Sequence, residues 1–345
     1  MITDILSTYD KYTIYGAQLV AYGTFVAIKQ LLGKVPECFI VTDTAENPSA
    51  IEDIPVLPLE SVTHDTLIII AVTELLQGEI ATTLVQNDYS RVFVLTAHEE
   101  YMLMSAYYTS IGKYPIAKGT HVNYSKLSLY QVRHHLDKPL RNRPILNSWE
   151  VPIQAGAALT DIRICDLLDS FGESISVRNR QYYEATAMYW VWKNVTTPWV
   201  GIEHYRRRLL VYPDMLSNDI DAILPLPYIC YPDSLAQFRR FVSDEVVEVL
   251  LDALKAIYPD DYDNYVKCLN GKYHYAYNLI AAKQSVFADY CEWAFRITDH
   301  IESLGISSIK ETRALSYVME MLTSIYFISN KKGLSIRHAE KAIYT

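Results

Sequence analysis

With 345 residues, half of them apolar, the chain is long enough for two domains that each bury a core, and its net charge of −9 excludes nucleic acid as a general partner. No apolar run reaches the roughly 18 residues that a membrane span needs, and no signal-peptide pattern opens the sequence, so a cytoplasmic protein is expected. The five cysteines (Cys38, Cys165, Cys230, Cys268, Cys291) are scattered without a CxxC pair, which fits reduced thiols and not a disulfide frame or a zinc site.

Apolar runs at 11–16, 38–42, 54–58, 66–72 and 91–95 read as short strands, and 17–32 and 75–86 as helices between them. Such alternation predicts a small doubly wound parallel sheet. Its first turn, from Gly16 to Ala21, is a damaged GxGxxG, with Gln18 where a glycine would let a pyrophosphate approach the backbone. Asp43 stands where a ribose-binding acid would be. The segment resembles the Rossmann-like domain found ahead of bacterial sugar O-acyltransferases. With the glycine motif degraded, a structural or oligomerisation role is expected, with room for a homo-oligomer, in preference to a bound dinucleotide.

Residues 112–145 change character. Lys113, Lys118, Lys126, Arg133, Lys138, Arg141 and Arg143 face a single acid, Asp137. A basic stretch in an acidic chain suits a phosphorylated substrate or an anionic membrane surface, and equally a solvated linker. The domain boundary is expected within 112–124. A strand at 125–132 then opens a second unit and leads to His134 and His135. Residues 151–159, with Gln154 and Gly156, read as a small-residue turn where backbone can approach a ligand. A turn-rich stretch starts at Asp166. Residues 179–194, from Asn179, read as one helix whose apolar face holds Tyr183, Ala187, Trp190 and Val191. Glu184 lies one position round from that face.

Residues 199–208 (WVGIEHYRRR) begin as a buried strand and end in three arginines. In an extended chain His204, Arg206 and Arg208 would point one way and Glu203, Tyr205 and Arg207 the other. Guanidinium forks match phosphate geometry and stay charged, which points to a diphosphate site. The alternative is a solvated strand end with salt bridges to nearby acids. Asp261 and Asp263 form a DxD, but one that follows Pro259 beside a helical run and reads as a solvated turn. Residues 273–282 read as an aromatic strand carrying His274 and Asn278, and 287–301 as an amphipathic helix. The last long helix opens at Arg313, with Glu320 two turns on, and a basic tail covers 331–341. The 28 tyrosines suit sugar faces, although most buried tyrosines simply pack.

Several of these segments agree with one known pattern. Tyr130 with the histidine pair, the Gln154–Gly156 turn, Asn179 with Glu184, the HYRR run, Asn278, and Arg313 with Glu320 together resemble a bacterial domain-of-unknown-function family of capsular or exopolysaccharide glycosyltransferases. The resemblance spans residues 126–340. It departs at His135, where the family tends to show Lys, and at Leu279, where Met is common. What it implies is an α/β chain with a Rossmann-like domain at 1–115 and a GT-A-like glycosyltransferase domain at 124–345. The implied function is a hexosyltransferase using a nucleotide-sugar donor, most simply a UDP-sugar, and a glycan or lipid-linked acceptor. The other reading is a non-catalytic nucleotide-sugar-binding or scaffold subunit. Glu320, Glu184 and His274 are then the catalytic candidates, with Glu320 the first choice. His204, Tyr205, Arg206, Arg207, Asn179, Gln154, Gly156, Asp166, Asn278, Arg313 and His134 are the candidates for substrate binding. Arginines would neutralise the leaving diphosphate in place of a metal, while Glu203 and His204 leave room for a divalent Mn or Mg ion. Membrane contact, if made, is peripheral, through 113–143 or the basic tail, on the inner face.

Overall fold

The computed structural model describes residues 2–45, 47–119, 126–142, 144–304 and 313–345. Arg143 and the expected start of the second unit's first strand at Ser125 lie outside the described residues.

In the first half, α1 (Ile2–Ser7) leads into β1 (Tyr12–Tyr15), whose four residues are all buried. Then come α2 (Leu19–Leu32), β2 (Phe39–Val41), β3 (Ala50–Ile51), β4 (Ile54–Pro58) and β5 (Leu67–Ile70). The half closes with α3 (Glu74–Gln86), β6 (Val92–Val94) and α4 (Ala97–Ser110). The sheet order is β3-β4-β2-β1-β5-β6, with every pair parallel except β3 with β4. This is the doubly wound arrangement expected from apolar runs alternating with helices, with its switch point between β1 and β5. Gly16 serves packing there: its φ is 123°, and a Cβ would stand 2.7 Å from the Ala71 carbonyl oxygen. The apolar-run reading has no element at α4. Its start is nonetheless marked in the sequence, because Thr96 and Glu99 form a reciprocal capping box.

The second half opens with β7 (Leu127–Arg133), β8 (Glu150–Gln154) and β9 (Leu167–Leu168). Next are α5 (Asn179–Tyr182), α6 (Ala185–Asn194), β10 (Trp199–His204), β11 (Arg207–Leu209) and β12 (Ala222–Pro225). A hairpin strand, β13 (Tyr228–Ile229), precedes α7 (Ser234–Phe238), α8 (Asp244–Ile257), α9 (Tyr262–Leu269) and β14 (Tyr273–His274). The chain ends through β15 (Ile280–Lys283), α10 (Gln284–Ser303), α11 (Ala314–Ser329), β16 (Ile336–Ala339) and β17 (Lys341–Ile343). The sheet order is β16-β12-β15-β10-β7-β8-β9. β10, β7, β8 and β9 run parallel, so their C-terminal ends, where crossover loops gather, lie at one edge. Residues of α6, α8, α10 and α11 form one apolar cluster with this sheet.

Four sequence expectations change. Residues 150–154 are strand, and the small-residue turn begins only at Ala155. The single helix over 179–194 breaks at Tyr183, whose φ of 48° separates α5 from α6. The aromatic strand over 273–282 is two strands of different sheets, joined through left-handed backbone at Tyr277 and Asn278. The arginine run is no strand end, because β10 reverses over Tyr205 and Arg206 and pairs His204 with Arg207. The hairpin therefore puts Glu203 beside Arg208, 3.8 Å apart, against the extended-strand alternation.

The two halves share a core. Leu226, Tyr228, Ile229 and Ala276 belong to the same buried cluster as α2 and α4. Tyr108 donates to the Pro227 carbonyl at 2.8 Å, and Lys341 reaches Glu100 at 3.2 Å with both side chains buried. The basic tail folds as β16 and β17 and is no free arm, and its Lys331 and Lys332 pair with Asp261 and Asp289.

Candidate functional site

Glu184 stands at the start of α6 with its side chain 16% exposed. Asn278 donates to it at 3.4 Å, Ser316 Oγ reaches both carboxylate oxygens at 3.3 Å, and His204 Nε2 lies 3.9 Å away. Burial works to raise the Glu184 pKa. The hydrogen bond and charge of His204, with the local backbone and Asn278, outweigh it and hold the carboxyl below its usual range. Asn278 is fully buried and is fixed in turn by Thr323 at 2.8 Å.

Positive φ angles cluster around this carboxylate. Tyr183, Tyr277 and Asn278 have φ of 48°, 73° and 51°, a conformation costly to residues with a Cβ and concentrated at functional sites. Arg313 lies over the Tyr183 ring at 4.0 Å, and Arg207 over the Tyr277 ring at 4.1 Å. Arg206 folds onto its neighbour Tyr205, donating from Nε to the phenol oxygen at 3.0 Å.

Glu320 and His274 sit behind Tyr277. The Tyr277 amide donates to Glu320 at 2.7 Å, and His274 Nε2 lies 3.3 Å from the other carboxylate oxygen. His274 Nδ1 contacts Ser324 Oγ at 3.0 Å, so both of its nitrogens are engaged. Glu320 faces His274, not Arg313.

A second cluster holds the loop after β8. Asp169 is fully buried and accepts from the Gly156 and Ala157 amides at 2.9 and 3.1 Å, and from Ser176 and Thr186 hydroxyls at 2.5 and 2.7 Å. Gly156 is left-handed, with φ of 68°, and a Cβ there would stand 2.6 Å from Asn179 Oδ1. Asn179 donates to Tyr183 O and Thr186 Oγ1 at 2.6 and 2.9 Å. The Gln154 amide is taken by the loop itself: it donates to Ile162 O at 2.8 Å and accepts from Ile164 N at 2.9 Å. Burial and the neighbouring His135 pull the His134 pKa down, against Asp169 and Asn179, which places His134 beside this cluster. Asp166 is exposed. Asp169, three residues after the substrate-binding candidate Asp166, organises the loop, and nothing in residue type separates the two.

Arg208 and Glu203 belong to neither cluster. Arg208 is bound in the interior by Glu150, with Nε 2.9 Å from Oε1, and so takes the salt-bridged reading of the arginine run. Glu203 accepts from Leu209 N at 3.2 Å and from Gln131 Nε2 at 3.3 Å, and Gln131 in turn accepts from Arg133 Nε at 2.9 Å. Burial, then the charge of Glu150, pushes the Glu203 carboxyl up to about 8. Glu203 and His204 face opposite sides of their strand, so they do not form a joint metal pair. Among the described residues no group of three or more His, Cys, Asp or Glu side chains is placed to hold a metal ion.

A family model described as domain of unknown function DUF4422 matches residues 129–331. The chain belongs to this family. No curated protein matches the DUF4422 chain. Among solved structures it is similar to the apo structure of the bifunctional glycosyltransferase WbbM, with 23% identity and a TM-score of 0.56 over 63% of this chain. The match spans 45% of the WbbM chain. The DUF4422 chain thus has a glycosyltransferase-like α/β fold, a Rossmann-like parallel sheet followed by a GT-A-like sheet. Glu184, His204, Asn278 and Ser316 meet directly in it, while Gln154 and His274 give their polar atoms to other partners and Asp166 is exposed. Asp169, Thr186, Ser316 and Tyr277 complete the site. Of these, Tyr277 stood in the sequence beside the candidate Asn278, and Ser316 one turn of helix before Glu320.

Proposed function

We propose that this chain is a hexosyltransferase that moves a sugar from a nucleotide-sugar, most simply a UDP-sugar, to a capsular, exopolysaccharide or lipid-linked glycan. The observation that carries the reading is Glu184, an ionised and largely buried carboxylate set between His204, Asn278 and Ser316. A positioned, ionised carboxylate can take a proton as a general base, and the lowered pKa of Glu184 means that the loss of His204's charge would strengthen it. In the proposed step Glu184 takes the proton of an acceptor hydroxyl as its oxygen attacks the anomeric carbon, and the bond from that carbon to the diphosphate breaks. The leaving nucleoside diphosphate carries its charge away beside Arg206 and Arg207, with Arg313 and His134 as further donor contacts. Glu320 and His274, both committed to Tyr277 and its turn, act as positioning residues.

Residues 1–115 and 124–345 divide the work in this reading. The first unit, with its degraded glycine turn, supports the second and carries no dinucleotide. No described helix is long and apolar enough to cross a membrane, which fits a cytoplasmic enzyme that meets a lipid-linked acceptor peripherally through the basic stretch at 113–143. The test is a thermal-shift screen of nucleotide-sugars against the full chain. A ligand at one hundred times its Kd stabilises by roughly 2.7 kcal/mol. A clear rise with one UDP-sugar supports the reading. No rise with any nucleotide-sugar, and none with UDP, sinks it.

A further inference from the structure

An open cleft of about 860 Å³ lies between α3 of the first half and the segment from Lys138 to Arg141 in the second. Lys138, Arg141 and Arg206 line it from the second half, and Glu74 and Glu79 from α3. Its size is that of a small-molecule site. Lys138 and Arg141 are exposed, and none of the three cations has a carboxylate ion-pair partner among the described residues. The three cations face the two carboxylates across the cleft, so its side chains leave a net positive charge for an anion to meet.

The cleft and the candidate site share the β10–β11 hairpin. Arg206 follows two residues after His204, which lies 3.9 Å from Glu184. β7 pairs Val132 with His204, and the chain that follows β7 reaches the cleft wall at Lys138. Of the two acids on the far wall, Glu74 has its pKa raised by burial and then by Glu100, against its own backbone and the charges of Lys341 and Arg207, which weakens its opposition to the cations.

We infer that this inter-unit cleft binds the acceptor, and that the acceptor bears an anionic group which Lys138 and Arg141 hold while its hydroxyl reaches Glu184. The inference rests on the transferase reading above and adds an acceptor class to it. It also gives the first unit a task, since α3 forms one wall. The anion could belong to the diphosphate of a lipid carrier or to the carboxylate of an acidic sugar. The two share the oxyanion chemistry that a guanidinium and an ammonium recognise.

The experiment titrates the full chain by calorimetry with a short soluble prenyl diphosphate and, separately, with glucuronic acid. Each titration is run with and without saturating UDP, on wild type and on the Lys138→Ala/Arg141→Ala double variant. Both positions are exposed, so the variant should fold. At least one anion should bind the wild type, about tenfold or more tighter than the double variant, with UDP affinity unchanged between them. Binding of the diphosphate assigns a lipid carrier, and binding of the uronate an acidic glycan. Binding of neither anion, or equal binding by both proteins, overturns the inference. Failure of UDP itself to bind counts against the donor site instead, and the titrations without UDP still judge the cleft.

Discussion

The Tyr277 amide donates to Glu320 at 2.7 Å, and this one bond holds the left-handed residue on whose ring Arg207 rests. Glu320 therefore governs Arg207 at second hand. Glu320→Ala leaves that amide without its acceptor, a loss of roughly 1.5–3 kcal/mol for a hydrogen bond to a charged group. It should lower both the melting temperature and UDP affinity. Glu320→Gln keeps an acceptor oxygen and should retain most of both, together with most turnover. Turnover abolished in a fully stable Glu320→Gln protein would make Glu320 the base and displace Glu184.

Asp169 makes a sharper case for stability. Asp169→Ala strands the Gly156 and Ala157 amides and takes away the Ser176 hydroxyl's acceptor, while Thr186 keeps the Tyr183 carbonyl, and each orphaned group costs roughly 1–3 kcal/mol. The urea midpoint should fall steeply, and Asp169→Asn should fall less. A midpoint within error of wild type for the alanine variant would show that water or a shifted loop replaces the carboxylate.

Glu203 should make stability depend on pH. Its folded pKa of about 8 lies above the ordinary 4.5. Its contribution is fully present below the ordinary value and is lost as pH rises through the folded one, because the unfolded chain gives up its proton first. Melting curves of wild type and Glu203→Gln should therefore converge or cross between about pH 5 and 8, with wild type losing ground as pH rises. Parallel curves would mean that Glu203 is ionised throughout, held so by Arg208.

The Lys341–Glu100 pair tests whether the first half braces the site. β17, which carries Lys341, pairs with β11, which carries Arg207. Breaking a buried ion pair from one side typically costs roughly 3–5 kcal/mol. Lys341→Met should thus destabilise the chain and speed amide exchange in β11, and adding Glu100→Gln should restore part of the loss. Unchanged exchange at Arg208 and Leu209 would show that the two halves are coupled elsewhere.

These relationships were unevenly legible beforehand. Apolar runs placed β1, β2, β5 and β10 because burial on both faces demands near-continuous hydrophobic residues. The break at Tyr183 left no mark, since no glycine or proline stands there and the strain is sustained by Asn179 one turn back and by Arg313 from elsewhere in the fold. The Tyr277–Asn278 turn was masked by an aromatic run that alternates as a strand does. The hairpin over Tyr205 and Arg206 lacks the glycine that usually announces a tight reversal, which is why the arginines were expected on alternate faces of one strand. Glu184 was visible as an acid beside an apolar helix face. Its partners come from β10, α11 and the turn before β15, and only the fold brings them together.

The central claim is that Arg206 and Arg207 carry the donor diphosphate, and calorimetry with UDP tests it most directly. Charge-assisted hydrogen bonds contribute roughly 1.5–3 kcal/mol each. Arg207→Ala should therefore bind UDP about tenfold or more weakly than wild type, and the Arg206→Ala/Arg207→Ala double variant more weakly still, with circular dichroism and melting temperature showing both folded. Wild-type UDP affinity in a folded double variant would contradict it.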